Sequence, residues 1–283
     1  MMTFEQFQNE LLLRCRSFAH NGRKIEVLVS DVKKLSGCYP ALTLIRDDQS
    51  TGICFNLNDL YAMYEGEKDL DGILAYLKAH MDDDIPHGDI DTVLEYEKIR
   101  DALFIRVSNA YANRGLLMEV PHRIYEEFAI TYHIRMICDE QMLGSTMINT
   151  EMLARYGIDE QQLYEDAMQN APKLFRPDIL KFSSGHIGNM YVVTNTDQIN
   201  GAAVMFYPGF MEKLYEEVHE DMYVVPSSMH EMIIFPVSAG ENAEQLKQVL
   251  HHANRDCVMP GETLSENIYF ISGKDKRLRR IFS

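Results

Sequence analysis

Apolar residues recur at helical spacing in some stretches and at strand spacing in others, so the chain predicts a mixed fold. Near the N-terminus Phe4, Phe7, Leu11 and Phe18 fall on one face behind Thr3, a natural N-cap, and Gly22 permits the left-handed turn that ends the helix. "IEVLVSDV", "ALTLIRD" and "GICFNL" are short β-rich runs between turn residues. "DLDGILAYLKAHM" puts Leu70, Ile73, Leu74 and Leu77 on one stripe. "DTVLEYEKIRDAL" reads as another helix, followed by the strand-like "LFIRVSN". "TEMLARYGIDEQQLYEDAMQNAPKLF" reads as helix, glycine turn, helix.

The last third is the most regular. "MYVVTN" and "GAAVMFYP" straddle "TDQIN" as a hairpin would, the helix "PGFMEKLYEEVHE" follows, and "MYVV" with "EMIIFPV" forms a second hairpin. "NAEQLKQVLHHAN" and "NIYFIS" close the series. The order strand-strand-helix-strand-strand-helix-strand, joined by short links, predicts an α+β fold with mainly antiparallel sheets and packed helices. "FRPDILKFSSGHIGN" is the least patterned region. The expected division is an N-terminal α+β part, 1–143, and a C-terminal α+β part, 144–283, or one continuous globular unit.

Composition narrows the function. With 43 acids against 27 bases the net charge is −16, which repels phosphates and disfavours direct nucleic-acid binding. The basic tail "GKDKRLRRIFS" is the local exception and reads as an edge-strand terminus. The second helix of the helix-turn-helix-like stretch carries Asp159, Glu160, Glu165 and Asp166, which does not suit a major-groove reader. The five scattered cysteines contain no CxxC pair and read as reduced, small apolar side chains. The start of the chain lacks the basic, then apolar, pattern of a signal peptide, and no run approaches a membrane span, so a cytoplasmic protein is expected. The 17 methionines suit adaptable packing, in the core first and at a homodimer face second.

Strong catalytic signatures are missing from the sequence. It contains no GxGxxG, no GxxxxGK[ST] and no GxSxG, and "HEMII" places Ile234 where a zinc protease needs its second histidine. The acids and His87 of "MDDDIPHGDID" do not match a calcium loop, so no metal and no cofactor is expected. Two polar stretches remain. In "VPSSMHEMIIF" the catalytic candidates are Ser228, His230 and Glu231, with Ser227 beside them as a binding candidate. Ser228 and His230 could pair as nucleophile and base only across a bend. The alternative is a turn that Pro226 and Ser227 start, whose polar side chains satisfy the loop. In "VSNAYANRGLLMEVPHRIYEEF", Asn109 and Asn113 are binding candidates and His122 a catalytic one; the asparagines could instead fix two loops.

Those same stretches carry a family resemblance. "DVKKLSGCYPALTLI", "FNLNDLYAMYEGE", "VSNAYANRGLLMEVPHRIYEEFAI", "LARYGIDEQQLYEDAMQNAPKLF", "MYVVTNTDQINGAAVMFYPG" and "MYVVPSSMHEMIIFPV" resemble an uncharacterised bacterial domain-of-unknown-function family, number 5688, over nearly the whole chain. "KKLSG" stands where typical members carry Lys-Asn-Asn-Gly, and "FNLN" where they carry Pro-Thr. The resemblance implies no reaction. The first expectation is therefore a cytoplasmic interaction or accessory protein with a protein partner, its acidic surface suited to a basic one. The second is an enzyme of unrecognised type, such as a hydrolase, that gathers the Ser/His/Glu cluster near His122, Asn109 and Asn113 in one pocket.

Overall fold

The computed structural model describes residues 2–17, 19–20, 23–35, 37–46, 52–82, 95–138, 143–184, 188–259 and 261–281. The protein is α+β, with antiparallel sheets and packed helices. It divides into two compact units, Met1–Ile90 and Asp91–Ser283. Residue 143, where the sequence suggested a division, begins a strand paired within the second unit.

In the first unit, helix α1 (Phe4–Cys15) opens with a capping box. The Gln6 amide donates to Thr3 Oγ1 at 3.3 Å, and the Thr3 amide donates to Gln6 Oε1 at 3.0 Å. Strands β1 (Ala19–His20), β2 (Arg23–Lys34), β3 (Gly37–Arg46) and β4 (Gly52–Asn56) form an antiparallel sheet in chain order. Asn56 caps α2 (Leu57–Glu67), and α3 (Leu70–Asp82) follows. Ile25, Leu42, Leu44 and Phe55 share one sheet face and pack with Phe7, Leu11, Leu60, Ile73 and Leu77 of the helices. Cys15 is buried among them, and burial pushes its thiol up to about 11. Cys38, Cys54 and Cys257 are exposed instead of buried. For Cys54 the reason is its register with Thr43, which turns it to the face away from that core.

Among the described residues the second unit opens with α4 (Tyr96–Ile99), which gives way to a short 3-10 turn at Arg100–Ala102; residues 91–94, the start of the helix expected here, lie outside the described residues. Strand β7 (Phe128–Cys138) is central to the next sheet. It pairs with β5 (Leu103–Asn109) along one edge, and with β6 (His122–Tyr125) and then β8 (Leu143–Met147) along the other. Between β5 and β6 lies the short helix α5 (Arg114–Leu117). Helix α6 (Thr150–Tyr156) ends at Gly157, left-handed at φ 67°, before α7 (Glu160–Leu174). A six-stranded sheet follows. It comprises β9 (Pro177–Ser184), β10 (Gly188–Asn195), β11 (Met222–Ser228), β12 (Glu231–Pro236), β13 (Tyr269–Ile271) and β14 (Leu278–Arg280), in the order β14-β13-β11-β12-β10-β9. Helices α8 (Phe210–Val218) and α9 (Ala243–Asp256) complete the unit.

The core of this unit joins Ile105, Ile130 and Tyr132 to Val193, Val224, Ile234 and Tyr269 of the six-stranded sheet, with Leu163 and Ala167 of α7 and Leu214 of α8. The opposite face of the larger sheet, Val225 and Phe235, packs against Leu246 and Leu250 of α9. Alternation explains the split, since Val224 and Val225 point to opposite faces. The expected order of strands and helices holds, but its first hairpin is β9–β10. "GAAVMFYP" is not a strand: Gly201–Phe206 is a 3-10 turn buried in the core.

Candidate functional site

The β11–β12 hairpin closes with only Met229 and His230 between its strands. Its tip is held from two sides. From one side, Ala202 N–H donates to the Met229 carbonyl at 3.2 Å and Thr194 Oγ1 donates to the His230 carbonyl at 2.8 Å. From the other, Met229 N–H donates to the Glu262 carbonyl at 2.9 Å. The approach is close enough that a Cβ on Gly201 would lie 2.2 Å from Thr194 Oγ1 and 2.5 Å from the His230 carbonyl oxygen, so only glycine fits there.

The imidazole of His230 and the hydroxyl of Ser228 both have internal partners. His230 Nδ1 accepts from the Asn200 amide at 3.2 Å, which places the ring proton on Nε2, 3.3 Å from Glu262 Oε1. Ser228 Oγ accepts from the His230 amide at 3.1 Å, an arrangement that ties it to the backbone rather than to the imidazole. Ser227 is buried, and Glu231 lies opposite Ser228 in the ladder. Asn195 fixes the neighbouring loop through the Ile199 carbonyl and the Asp197 and Ile199 amides. A nucleophile bonded to its base is therefore not what Ser228 and His230 form.

Asn109 comes near this tip through a shared loop. Its Nδ2 donates to the Leu264 carbonyl at 2.9 Å, two residues from Glu262, and its Oδ1 accepts from the Ala112 amide at 2.8 Å. Asn113 Nδ2 donates to the Asn109 carbonyl at 2.8 Å. The same loop is anchored by Glu127, which accepts from Ser265, from Asn267 at 3.1 Å and from the Tyr269 hydroxyl at 2.7 Å. Burial, then the Glu127 carboxylate, raises the Tyr269 phenol far above its ordinary range.

His122 is not brought to that tip's side of the sheet. It pairs with Thr131, whereas Asn109 pairs with Phe128, and an odd separation on β7 sends their side chains to opposite faces. Its Nδ1 donates to the Val120 carbonyl at 2.9 Å.

A different surface gathers residues that no short motif announces. Tyr164, Glu165, Met168, Gln169 and Pro172 of α7, with Pro208, line an open groove of about 530 Å³. Its Tyr164 wall is fixed from behind. Arg123 lies 3.6 Å from the ring centroid and is itself gripped by Glu160 at 2.9 and 3.0 Å. Deeper in α7, Asp166 accepts from Tyr96 at 2.6 Å, Arg100 at 2.9 Å and Gln162 at 2.9 Å. Burial alone would raise this carboxyl, but those donors outweigh it and hold it below the usual carboxylate range. All four acids flagged in this helical pair thus have partners: Asp159 caps α7, Glu160 grips Arg123, Asp166 is a buried anchor, and Glu165, on the exposed face, accepts from Gln161 Nε2 at 2.6 Å.

Among the described residues, no group of three His, Cys, Asp or Glu is placed to hold a metal ion, and no helix is long and apolar enough to cross a membrane. Asp84, His87, Asp89 and Asp91 lie outside the described residues. The family of unknown function DUF5688 matches residues 4–272, and the chain belongs to that family. No curated protein and no solved structure gives a match that carries a comparison.

Proposed function

We propose that this member of DUF5688 is an accessory protein that binds another protein through the groove on α7. The carrying observation is the groove itself: an aromatic ring and two prolines at the surface over the buried Met168, with Glu165 beside them. Concave apolar walls with one charge suit an extended segment that inserts an apolar side chain and sets a Lys or Arg against the carboxylate. The net charge of −16 favours such a basic partner at longer range. The Glu160–Arg123–Tyr164 chain keeps the wall rigid before binding, which lowers the ordering cost of association.

The test is selection from a random peptide display library on the full chain. Recovered peptides should share an apolar residue next to Lys or Arg. Glu165→Lys should weaken them about tenfold and Tyr164→Ala by more, because rim charge and aromatic anchor are both lost. Peptides that bind the Tyr164→Ala/Glu165→Lys double variant as well as the parent would refute the reading.

A further inference from the structure

One face of the strands β5, β7 and β6 carries an unbalanced cation. Arg106 pairs with Thr131, and Thr131 pairs with His122, so the three stand abreast on one face of the sheet. Ser108 and His133 share that face, since they lie two residues along from Arg106 and Thr131. The row is long, short, long: two reaching side chains flank a buried threonine.

The electrostatics of this face are incomplete. Arg106 donates to Ser145 Oγ and lies 5.6 Å from the Phe104 ring centroid, but its Nε is buried with no hydrogen-bond partner. Among the described residues no carboxylate pairs with it. Burial is the cause that lowers its guanidinium pKa, and no acid opposes that effect. In a chain of 43 acids this is a conspicuous vacancy of negative charge. Ser108 is 3% exposed, and its hydroxyl also lacks a partner. His133, 3.0 Å from Thr131 Oγ1, is kept neutral by burial and by the charge of Arg106. Donation from Nδ1 to the Val120 carbonyl leaves His122 Nε2 as the unprotonated ring nitrogen, able to accept from the P–OH of a hydrogen phosphate. A buried polar group without a partner costs about 1–3 kcal/mol, and more when charged, so a bound group that satisfies several at once is favoured.

We infer that this face binds a phosphate group, with Arg106 and Ser108 as its donors and His122 on its flank. Phosphate suits the set better than a carboxylate because its tetrahedral oxygens can take Arg106 and Ser108 from β5 and still leave one toward His122 on β6. The site is separate from the α7 groove and does not depend on it.

Thermal unfolding of the full chain, titrated with inorganic phosphate at constant ionic strength, tests the inference. Tenfold over its dissociation constant, phosphate should raise the wild-type midpoint by about 3 °C. Arg106→Met should equal or exceed wild type without phosphate, since an unpaired charge is gone, and should lose at least two thirds of the phosphate shift. Ser108→Ala should weaken binding about fivefold, and it keeps the test open should Arg106→Met not fold. In parallel, phosphate should move the imidazole resonances of His122 and leave those of His230 in place. Equal shifts in wild type and Arg106→Met, no shift in wild type, or a larger effect of acetate than of phosphate would each overturn the assignment.

Discussion

The hairpin tip at His230 and the sheet face at Arg106 look alike in composition and opposite in accounting. Both set hydroxyls, an imidazole and an ionisable group among apolar strands. At the tip, His230 uses both ring nitrogens on Asn200 and Glu262, Ser228 holds a backbone amide, and Thr194 holds a carbonyl. On the sheet face, Arg106 Nε and Ser108 Oγ are buried without partners. The difference teaches that a cluster of polar side chains indicates a site only through the hydrogen-bonding capacity that folding leaves over. By that criterion the tip is architecture and the sheet face is open to a ligand.

The comparison breaks first at Gly201 if it is wrong. Gly201→Ala forces a Cβ to 2.5 Å from the His230 carbonyl oxygen and 2.8 Å from the Asn195 amide nitrogen, both backbone atoms that cannot swing aside. A loss of about 3 kcal/mol in urea unfolding is expected. A loss below about 1 kcal/mol would show that the tip is not clamped. Asp166 sharpens the contrast, because it is a buried charge with its donors in place. Asp166→Asn should cost about 2 kcal/mol at neutral pH. Its folded carboxyl lies below the ordinary value, so its stabilisation is complete above the unfolded pKa of about 3.9 and fades as pH falls through the lower folded value. The gap between wild type and Asp166→Asn in urea midpoints should therefore close in acid, and a gap that widens there would contradict the assignment. His230→Ala comes next, at about 1–1.5 kcal/mol, for the lost contacts to Asn200 and Glu262.

How much of this was legible follows from what sequence pattern encodes. Periodicity, the Thr3 cap and the Gly157 turn located α1, α3, α6, α7 and the β11–β12 hairpin, because such signals act locally. "GAAVMFYP" misled because Gly201–Met205 is buried throughout and has no polar face to reveal its period; its small residues pack as a 3-10 turn inside the core. The β9–β10 hairpin was hidden because β9 is an edge strand whose residues are only partly buried or exposed. The polar stretches were visible, but not that His122 and Asn109 face opposite ways, which depends on pairing with β7 across the intervening loop. Arg106 left one overlooked signal: a lone cation inside the apolar run "LFIRV", on a strand buried along most of its length.

Ser108 offers the smallest effect and the cleanest discrimination. In most buried serines, truncation removes a hydrogen bond and costs about 1 kcal/mol. Here the hydroxyl has no partner, so folding leaves its desolvation uncompensated and Ser108→Ala removes that cost. In phosphate-free buffer the variant should match wild type within about 0.5 kcal/mol or exceed it slightly, read from urea midpoints with an unchanged m-value. Ser227→Ala, at a serine of similar burial beside the tip, serves as the control for losing a hydroxyl from a strand of the same unit. A cost above about 1 kcal/mol at Ser108 would mean that its hydroxyl is already satisfied inside the fold. The sheet face would then be as self-contained as the tip, and the distinction between the two regions would collapse.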